Sequence, residues 1–190
     1  LFGINLRTLA LFRFALGSVV FYEVVRRLLF DLTAFYTDLG VMPRSWIIEY
    51  DSYNRISLYF LNGQAWFTGG LMIVQAIFAL MFMFGWRARL ASVATFILWG
   101  SLTNRDPMLL IGGDILICCL LFWATLLPVG ARWSVDAAMA TNPPPQENQY
   151  TSWATLGLLF QVMSVYFFSA MLKNGAEWYP DFTAVYYALS

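Results

Sequence analysis

The feature that most constrains this chain is a run of 20 residues, 153–172, that contains no charged residue and no proline. A helix of about 20 apolar residues spans the roughly 30 Å hydrocarbon core of a bilayer. Two more windows, 66–86 and 111–128, come close to the same pattern. We therefore expect the chain to be embedded in a membrane.

The composition excludes several classes of protein. Apolar residues make up 60% of the 190 residues and charged residues only 12%, about half of the roughly 25% that is usual in globular proteins. A soluble domain of this size could not hide so much apolar surface from water. The net charge is zero and no basic cluster is present, so nucleic acid is not an expected partner. Because the chain has no histidine, we expect no metal site.

We predict an all-α fold: a polytopic integral membrane helical bundle with about five transmembrane helices and an amphipathic segment at the interface. A single domain is expected to cover residues 1–190, truncated at its carboxyl terminus. The approximate helices are 8–30, 66–86, 90–102, 111–128 and 153–173, and the polar segments between them are 31–65 and 130–152.

The first predicted helix carries charges that a lipid-facing helix would avoid. Each charge at the bilayer centre costs roughly 2.5–3.5 kcal/mol. Glu23 precedes Arg26 and Arg27 by three and four residues, so the three side chains share a helix face. Two interpretations remain open: a local ion pair at the interface, or a polar cluster that faces the interior of the bundle.

A polar turn between the predicted helices 90–102 and 111–128, together with the start of the second of them, holds candidate binding residues. They are Asn104, Arg105, Gly112, Gly113 and Asp114. The two glycines let the backbone approach a ligand or a helix, and free amides at a helix start can bind an anion. A plain tight turn, with Asp114 at the start of a helix, explains the same residues equally well.

A second candidate site follows the cleanest apolar run, at Lys173, Glu177 and Trp178. A lysine that is desolvated at the membrane boundary can serve as a base. The alternative is an interfacial anchor, in which Lys173 extends toward water, pairs with Glu177 and lies beside Trp178.

The short turn that contains Arg87 and Arg89 indicates the orientation. Positive charges in short loops favour the cytoplasmic side, which would place the amino terminus in the cytoplasm. The expected location is a bacterial cytoplasmic membrane. In this orientation Arg105, Asp114 and Lys173 lie near the opposite membrane face.

Several motifs together resemble the horizontally transferred transmembrane (HTTM) domain family. The likeness covers essentially the whole chain. The motifs are residues 6–13, 35–38, 40–44, 101–107, 111–114, 122–123 and 127–130.

The resemblance implies a function, because the family includes the vitamin K-dependent γ-carboxylase. In that membrane enzyme a lysine deprotonates reduced vitamin K. The family pattern near that lysine is similar to Ala170, Lys173 and Trp178 here, so the resemblance makes Lys173 the candidate catalytic base. It also implies a reduced quinone of the vitamin K type as cofactor and a γ-carboxylase-like, quinol-dependent activity.

Two departures favour a different function. Thr103 stands where many relatives carry a histidine, and these residues include no large polar domain of the kind that the known enzyme needs. The alternative is a non-catalytic membrane subunit that binds lipid, quinone or partner helices in a larger complex. Small residues such as Gly69 and Gly70 permit close helix approach. A transporter or channel is less well supported, since paired broken helices are not evident.

Overall fold

The computed structural model describes residues 3–50, 55–141, 148–175, 178, 182–183 and 186. Three helical segments in this part of the chain are long and apolar enough to cross a membrane: Leu6–Phe35, Ala65–Phe84 and Trp153–Met171. Strand structure among the described residues is limited to two pairs of residues. The prediction of an all-α membrane bundle is therefore confirmed.

The helices follow one another with short connections. The main helices are α1 (Leu6–Arg26), α4 (Ala65–Phe84), α5 (Ala88–Arg105), α6 (Gly112–Leu126) and α8 (Trp153–Met171). A π-helical turn, Arg27–Asp31, extends α1 into the short α2 (Leu32–Phe35). The minor elements are α3 (Arg44–Tyr50), a 3-10 turn (Leu58–Phe60), α7 (Val135–Met139), β1 (Ile4–Asn5) and β2 (Gln149–Tyr150).

Two of the expected elements are longer in the structure than the sequence pattern suggested. The window 90–102 belongs to α5, which has 18 residues. The first helical segment does not end near residue 30 but continues to Phe35. As a result, less of the polar segment 31–65 remains outside the helices.

The bundle has two distinct ends. At the amino-terminal end, β1 pairs with β2 in antiparallel fashion, which brings together the starts of α1 and α8. The tight turn between α4 and α5 is at the same end, because Arg13 of α1 binds the carbonyl of Met83 near the end of α4. At the opposite end, α1 and α5 end, and α4 and α6 begin.

Local sequence signals set the helix limits. The side chain of Asn5 accepts a hydrogen bond from the amide of Arg7 at 2.9 Å and caps α1. Gly85 ends α4 with a φ of 71°, in the left-handed region that glycine adopts without steric cost. At the start of α8, Ser152 and Thr155 exchange side-chain and amide hydrogen bonds in a capping box.

Close packing joins α1 to α4 at Gly17. A Cβ atom at this glycine would lie 2.8 Å from the Cα atom of Met83, closer than real contacts allow. The two helix backbones can therefore approach only because residue 17 has no side chain. Small residues at helix contacts have this role in membrane proteins, where dispersion contacts drive association.

Arg13 joins three segments at the amino-terminal end of the bundle through hydrogen bonds. This buried guanidinium donates hydrogen bonds to the carbonyl oxygens of Met83 at 3.3 Å, Val129 at 3.0 Å and Trp133 at 2.6 Å. Three carbonyl dipoles satisfy the donors of a charge that lipid could not solvate. One side chain thus links α1 with the end of α4 and with the segment after α6.

The last helix, α8, packs against the bundle through its first half only. Gly157 packs on the ring of Trp123 of α6, which a Cβ atom would overlap, and the indole nitrogen of Trp123 donates to the side chain of Gln161. Buried side chains in α8 are Thr155 and Leu158, whereas residues 165–172 are exposed on all sides. The second half of α8 therefore projects away from the described part of the bundle.

Replacing Gly17 with alanine tests the close approach of α1 and α4. The added methyl group must push the two backbones apart, and we expect a loss of about 1–3 kcal/mol in the free energy of unfolding, as for overpacked cores. Thermal or denaturant unfolding in a mild detergent would measure it. Gly70→Ala in α4 is the matched control, because its methyl group would meet no atom of a neighbouring segment within 4 Å. Equal stability of the two variants would contradict the packing argument.

Candidate functional site

A buried ion pair lies at the centre of the opposite end. Arg27, just past α1, donates through Nη2 to Oδ1 of Asp114 in the first turn of α6 at 2.5 Å. The side chains are 4% and 3% exposed, so water does not screen the pair. Asp114 also accepts the amide of Ile111, the N-cap residue, at 3.3 Å through Oδ2, so it helps to cap α6 as well as serving as a counter-ion.

Aromatic side chains surround this ion pair. The ring centroid of Trp99 lies 5.2 Å from Cζ of Arg27, a cation–π distance, and the indole nitrogen donates to the carbonyl of Asp114 at 3.1 Å. Nη1 of Arg27 donates to the hydroxyl of Tyr36 at 3.4 Å. Residues from α5, α6 and the first loop therefore meet at the guanidinium group of Arg27, just past α1.

The charges of the first helical segment divide between two roles. Arg26 makes ion pairs with Glu23 at 3.0 Å and with Asp31 at 2.9 Å and remains 39% exposed, as expected for a local cluster at an interface. Arg27 turns inward to Asp114, and only its Nε atom approaches Glu23, at 3.6 Å. Arg26 therefore belongs to a local ion-pair cluster at the interface, whereas Arg27 faces the interior of the bundle.

A second buried arginine holds the loop that follows the first helical segment. Both terminal nitrogens of Arg105 donate to the carbonyl of Met42 at 3.1 Å. Its Nη2 atom lies 3.9 Å from the carboxylate of Asp38, which makes a closer ion pair of 2.8 Å with Arg44. Arg105 thus anchors the turn before α3 onto the end of α5.

Two buried tyrosines and an acid extend the polar cluster. Burial raises the pKa of Tyr36 to about 12, although nearby Arg27 opposes the shift. Burial also raises the pKa of Tyr59, whose hydroxyl donates to the side-chain oxygen of Gln75 at 3.1 Å. Both phenols therefore stay protonated near neutral pH. Burial raises the pKa of Asp106, even though its Oδ1 atom accepts the amide of Met108 at 2.9 Å.

Some buried polar atoms of the cluster have no hydrogen-bond partner in the described part of the chain. They are Nε2 of Gln75, Oδ2 of Asp106 and the Nε atoms of Arg27 and Arg105. Buried polar groups are normally satisfied, and an exception needs a reason such as a ligand, a bound water or a functional role. The opposite end is therefore a polar interior with spare hydrogen-bonding capacity.

The structure separates the residues that the sequence grouped around the turn 104–114. Arg105 and Asp114 are both buried in the polar cluster. Asn104 instead donates to the carbonyl of Ile56 at 3.2 Å and fixes the loop before the 3-10 turn. Gly112 and Gly113 are exposed, and among the described residues a Cβ atom at either position would meet no backbone of another segment within 4 Å.

Lys173 lies outside the polar cluster. Its Nζ atom stands 4.5 Å from the ring centroid of Trp178, and its side chain is exposed. The amide of Trp178 donates a hydrogen bond to the carbonyl of Gly175 at 2.9 Å. Glu177, the expected ion partner of Lys173, lies outside the residues that the structure describes.

Helix geometry still places Lys173 at the same end as the cluster. The contact between Gln161 and Trp123 fixes the level of α8 against the antiparallel α6. At about 1.5 Å per residue, Lys173 lies roughly 18 Å beyond Gln161, and Gly112 lies roughly 16 Å from Trp123 in the same direction. Lys173 therefore lies toward the same end of the bundle as the start of α6.

Sequence reasoning missed Tyr36, Tyr59, Gln75 and Trp99 as members of the cluster. One signal was present, because Gln75 is a polar residue inside an otherwise apolar window, and such residues usually face a bundle interior. Tyr36, Tyr59 and Trp99 carried no comparable signal, since aromatic residues are frequent along the whole chain.

The sequence profile of the HTTM domain matches residues 3–186, nearly the whole chain. This chain belongs to the HTTM domain family. A comparison with curated proteins and a comparison with solved structures each find no match. The HTTM domain is a membrane domain related to the γ-carboxylases, and the long apolar helices place the chain in a lipid bilayer.

Removing Asp114 tests whether the buried ion pair holds the fold together. In Asp114→Ala, the guanidinium of Arg27 stays buried without a counter-ion, and we expect a loss of about 3–5 kcal/mol in the free energy of unfolding. Arg26→Ala is the control, because breaking a half-exposed pair should cost only about 0–1 kcal/mol. Unfolding in mild detergent would measure both.

A double variant separates the ion pair from the cap. Arg27→Met combined with Asp114→Asn removes both charges and retains an oxygen that can cap α6. It should be more stable than Asp114→Ala, because no unpaired charge is buried. If the double variant and Asp114→Ala were equally unstable, the buried charge would not be the cause.

Proposed function

We propose that this HTTM domain is a γ-carboxylase-like membrane domain that takes a reduced quinone from the bilayer, with Lys173 as the base. The proposal is supported by the position of Lys173, which follows the exposed second half of α8 and lies toward the same end of the bundle as the polar cluster. The family match supports the relationship to γ-carboxylases.

The residue types in the chain that can accept a proton also favour Lys173 as the base. It is the only lysine, and there is no histidine. Every other cationic side chain is an arginine, which does not lose its proton in proteins. A cationic acid–base group in this chain must therefore be Lys173, whose Nζ atom would accept a hydroxyl proton from the cofactor.

The residues near Lys173 fit a cofactor with an aromatic head and an apolar tail. The exposed faces of Phe167, Phe168 and Leu172 on α8 offer apolar surface inside the bilayer. The ring of Trp178 lies beside Nζ of Lys173 and offers an aromatic face. A reduced quinone, when bound, would supply the reducing equivalents for reaction with oxygen, while Lys173 and Trp178 hold its head group.

A second candidate is a non-catalytic subunit that binds partner helices. Residues 165–172 of α8 are exposed on every side, so a partner helix could pack there. In addition, the arginines of the polar cluster are engaged with carboxylates or carbonyls, as expected of a structural framework.

Two substitutions of Lys173 distinguish a base from an anchor. Lys173→Arg keeps the positive charge beside Trp178 but cannot give up its proton, whereas Lys173→Ala removes both. If Lys173 is a base, both variants should lose about 10²-fold or more in the oxidation of a reduced quinone under oxygen, measured in lipid nanodiscs.

The other outcomes are equally informative. Full activity of Lys173→Arg would show that Lys173 is an anchor. Absence of turnover in the wild-type domain, despite quenching of its tryptophan fluorescence by the quinone, would favour the non-catalytic subunit. Trp178→Phe is the control, because it keeps an aromatic face beside Nζ and should retain most of the turnover.

We also propose that the amino-terminal end faces the cytoplasm. Three arginines at this end, Arg7, Arg87 and Arg89, are exposed and form no ion pair with described residues. The arginines at the opposite end include several that are paired with acids: Arg26, Arg27 and Arg44. Unpaired positive charges near helix ends are retained on the cytoplasmic side.

Cysteine labelling tests this orientation. In a background where Cys118 and Cys119 are replaced by alanine, a membrane-impermeant maleimide should label Lys173→Cys in intact cells. Arg87→Cys should react only after the membrane is opened. The reverse pattern would show that the amino-terminal end faces outward.

A further inference from the structure

Two depressions on the surface of α5 meet at Arg89. The first is a cavity of about 320 Å³ at the amino-terminal end, between the start of α5 and the segment that follows α6. The second, of about 580 Å³, is a shallow, open groove along one face of α5 and is lined by residues of this helix alone. The groove is lined by Arg89, Leu90, Val93, Ala94 and Ile97. Arg89 is also part of the cavity wall.

The groove has the length and chemistry of a site for an acyl chain. Its apolar residues recur at helical spacing, and Leu90, Val93 and Ile97 are exposed. The small side chain of Ala94 lies between them and creates the depression. From Arg89 to Ile97 the helix rises about 12 Å, most of the roughly 15 Å of hydrocarbon in one leaflet.

Arg89 stands at the head of this groove with its donors unused. Its guanidinium is exposed and makes no hydrogen bond or ion pair with described residues. The planar group presents five N–H donors that match phosphate oxygens in a bidentate manner. Its position in the first turn of α5, at the amino-terminal end, is the level at which lipid head groups lie.

The charges around Arg89 favour an anion over a zwitterion. The nearest carboxylate in the cavity, Asp136, already accepts the backbone amides of Arg87 and Ala88, each at 2.7 Å. The exposed side chain of Arg87 adds a second positive charge two residues away. Two guanidinium groups thus accompany one carboxylate at this end of α5, and the net positive charge favours an anionic head group.

We propose that Arg89 and the groove on α5 bind one anionic phospholipid, with its phosphate on Arg89 and one acyl chain against Leu90, Val93, Ala94 and Ile97. The lipid belongs to the leaflet at the amino-terminal end. Two features favour a lipid over a partner helix. Arg89 can pair with an anionic head group at the interface, and the apolar groove is about as long as one leaflet is thick. The site does not involve Lys173 and is independent of the proposed activity.

Native mass spectrometry of the detergent-solubilised protein tests the site, with phosphatidylglycerol and phosphatidylcholine as probes. We expect one retained phosphatidylglycerol and about tenfold weaker binding of phosphatidylcholine. Arg89→Ala should weaken phosphatidylglycerol binding about tenfold, because a charge-assisted bidentate contact is lost. Ala94→Phe should have a similar effect, because the phenyl ring fills the groove while Arg89 remains.

The controls distinguish this site from general charge attraction and from a phosphate site. Arg7→Ala removes another exposed arginine at the same end and should leave binding unchanged. Glycerol phosphate has no acyl chain and should not displace the lipid. Unchanged binding in Arg89→Ala or in a thermally stable Ala94→Phe would overturn the proposal, as would equal binding of the two lipids. Displacement by glycerol phosphate would overturn the role of the groove.

Discussion

The contact between Arg27 and Asp114 determines how the opposite end of the bundle is arranged. Neither charge can remain in a low-dielectric interior alone, so each requires the other at hydrogen-bonding distance. The pair joins the end of the first helix to the start of α6, which are 87 positions apart in the sequence. Trp99 fits between them because its ring faces the cation and its N–H reaches the backbone of Asp114.

The polar loop after the first helical segment depends on the same constraint. Arg105 is also buried at this end, and its nearest acid, Asp38, is already engaged with Arg44. The carbonyl of Met42 supplies the acceptor that Arg105 needs, so the loop must fold over the end of α5. A segment that is too polar to cross the bilayer thus covers the bundle and shields its charges.

The sequence predicts the membrane class and the helical architecture because both depend on local apolar runs. Windows 66–86 and 153–173 overlap α4 and α8 for this reason. The polar cluster could not be predicted in the same way. Arg27 has Glu23 four residues before it, and nothing in the sequence indicates that Asp114 is its partner. Gln75 stands out as a polar residue in an apolar window, yet its partner Tyr59 is only found in three dimensions.

The ion-pair framework restricts where chemistry can occur. Arginines hold the cluster together, and a group that never loses its proton cannot transfer one. Tyr36 and Tyr59 are kept protonated by burial, so they can donate hydrogen bonds but are poor bases near neutral pH. Besides the carboxylates that pair with arginines, this end also holds Asp106, which is buried, and Lys173, which is exposed. In the proposed function, a lipid-soluble reactant would reach the exposed Lys173 without disturbing the buried pair of Arg27 and Asp114, so the bundle could stay rigid while the proposed reaction took place at its edge.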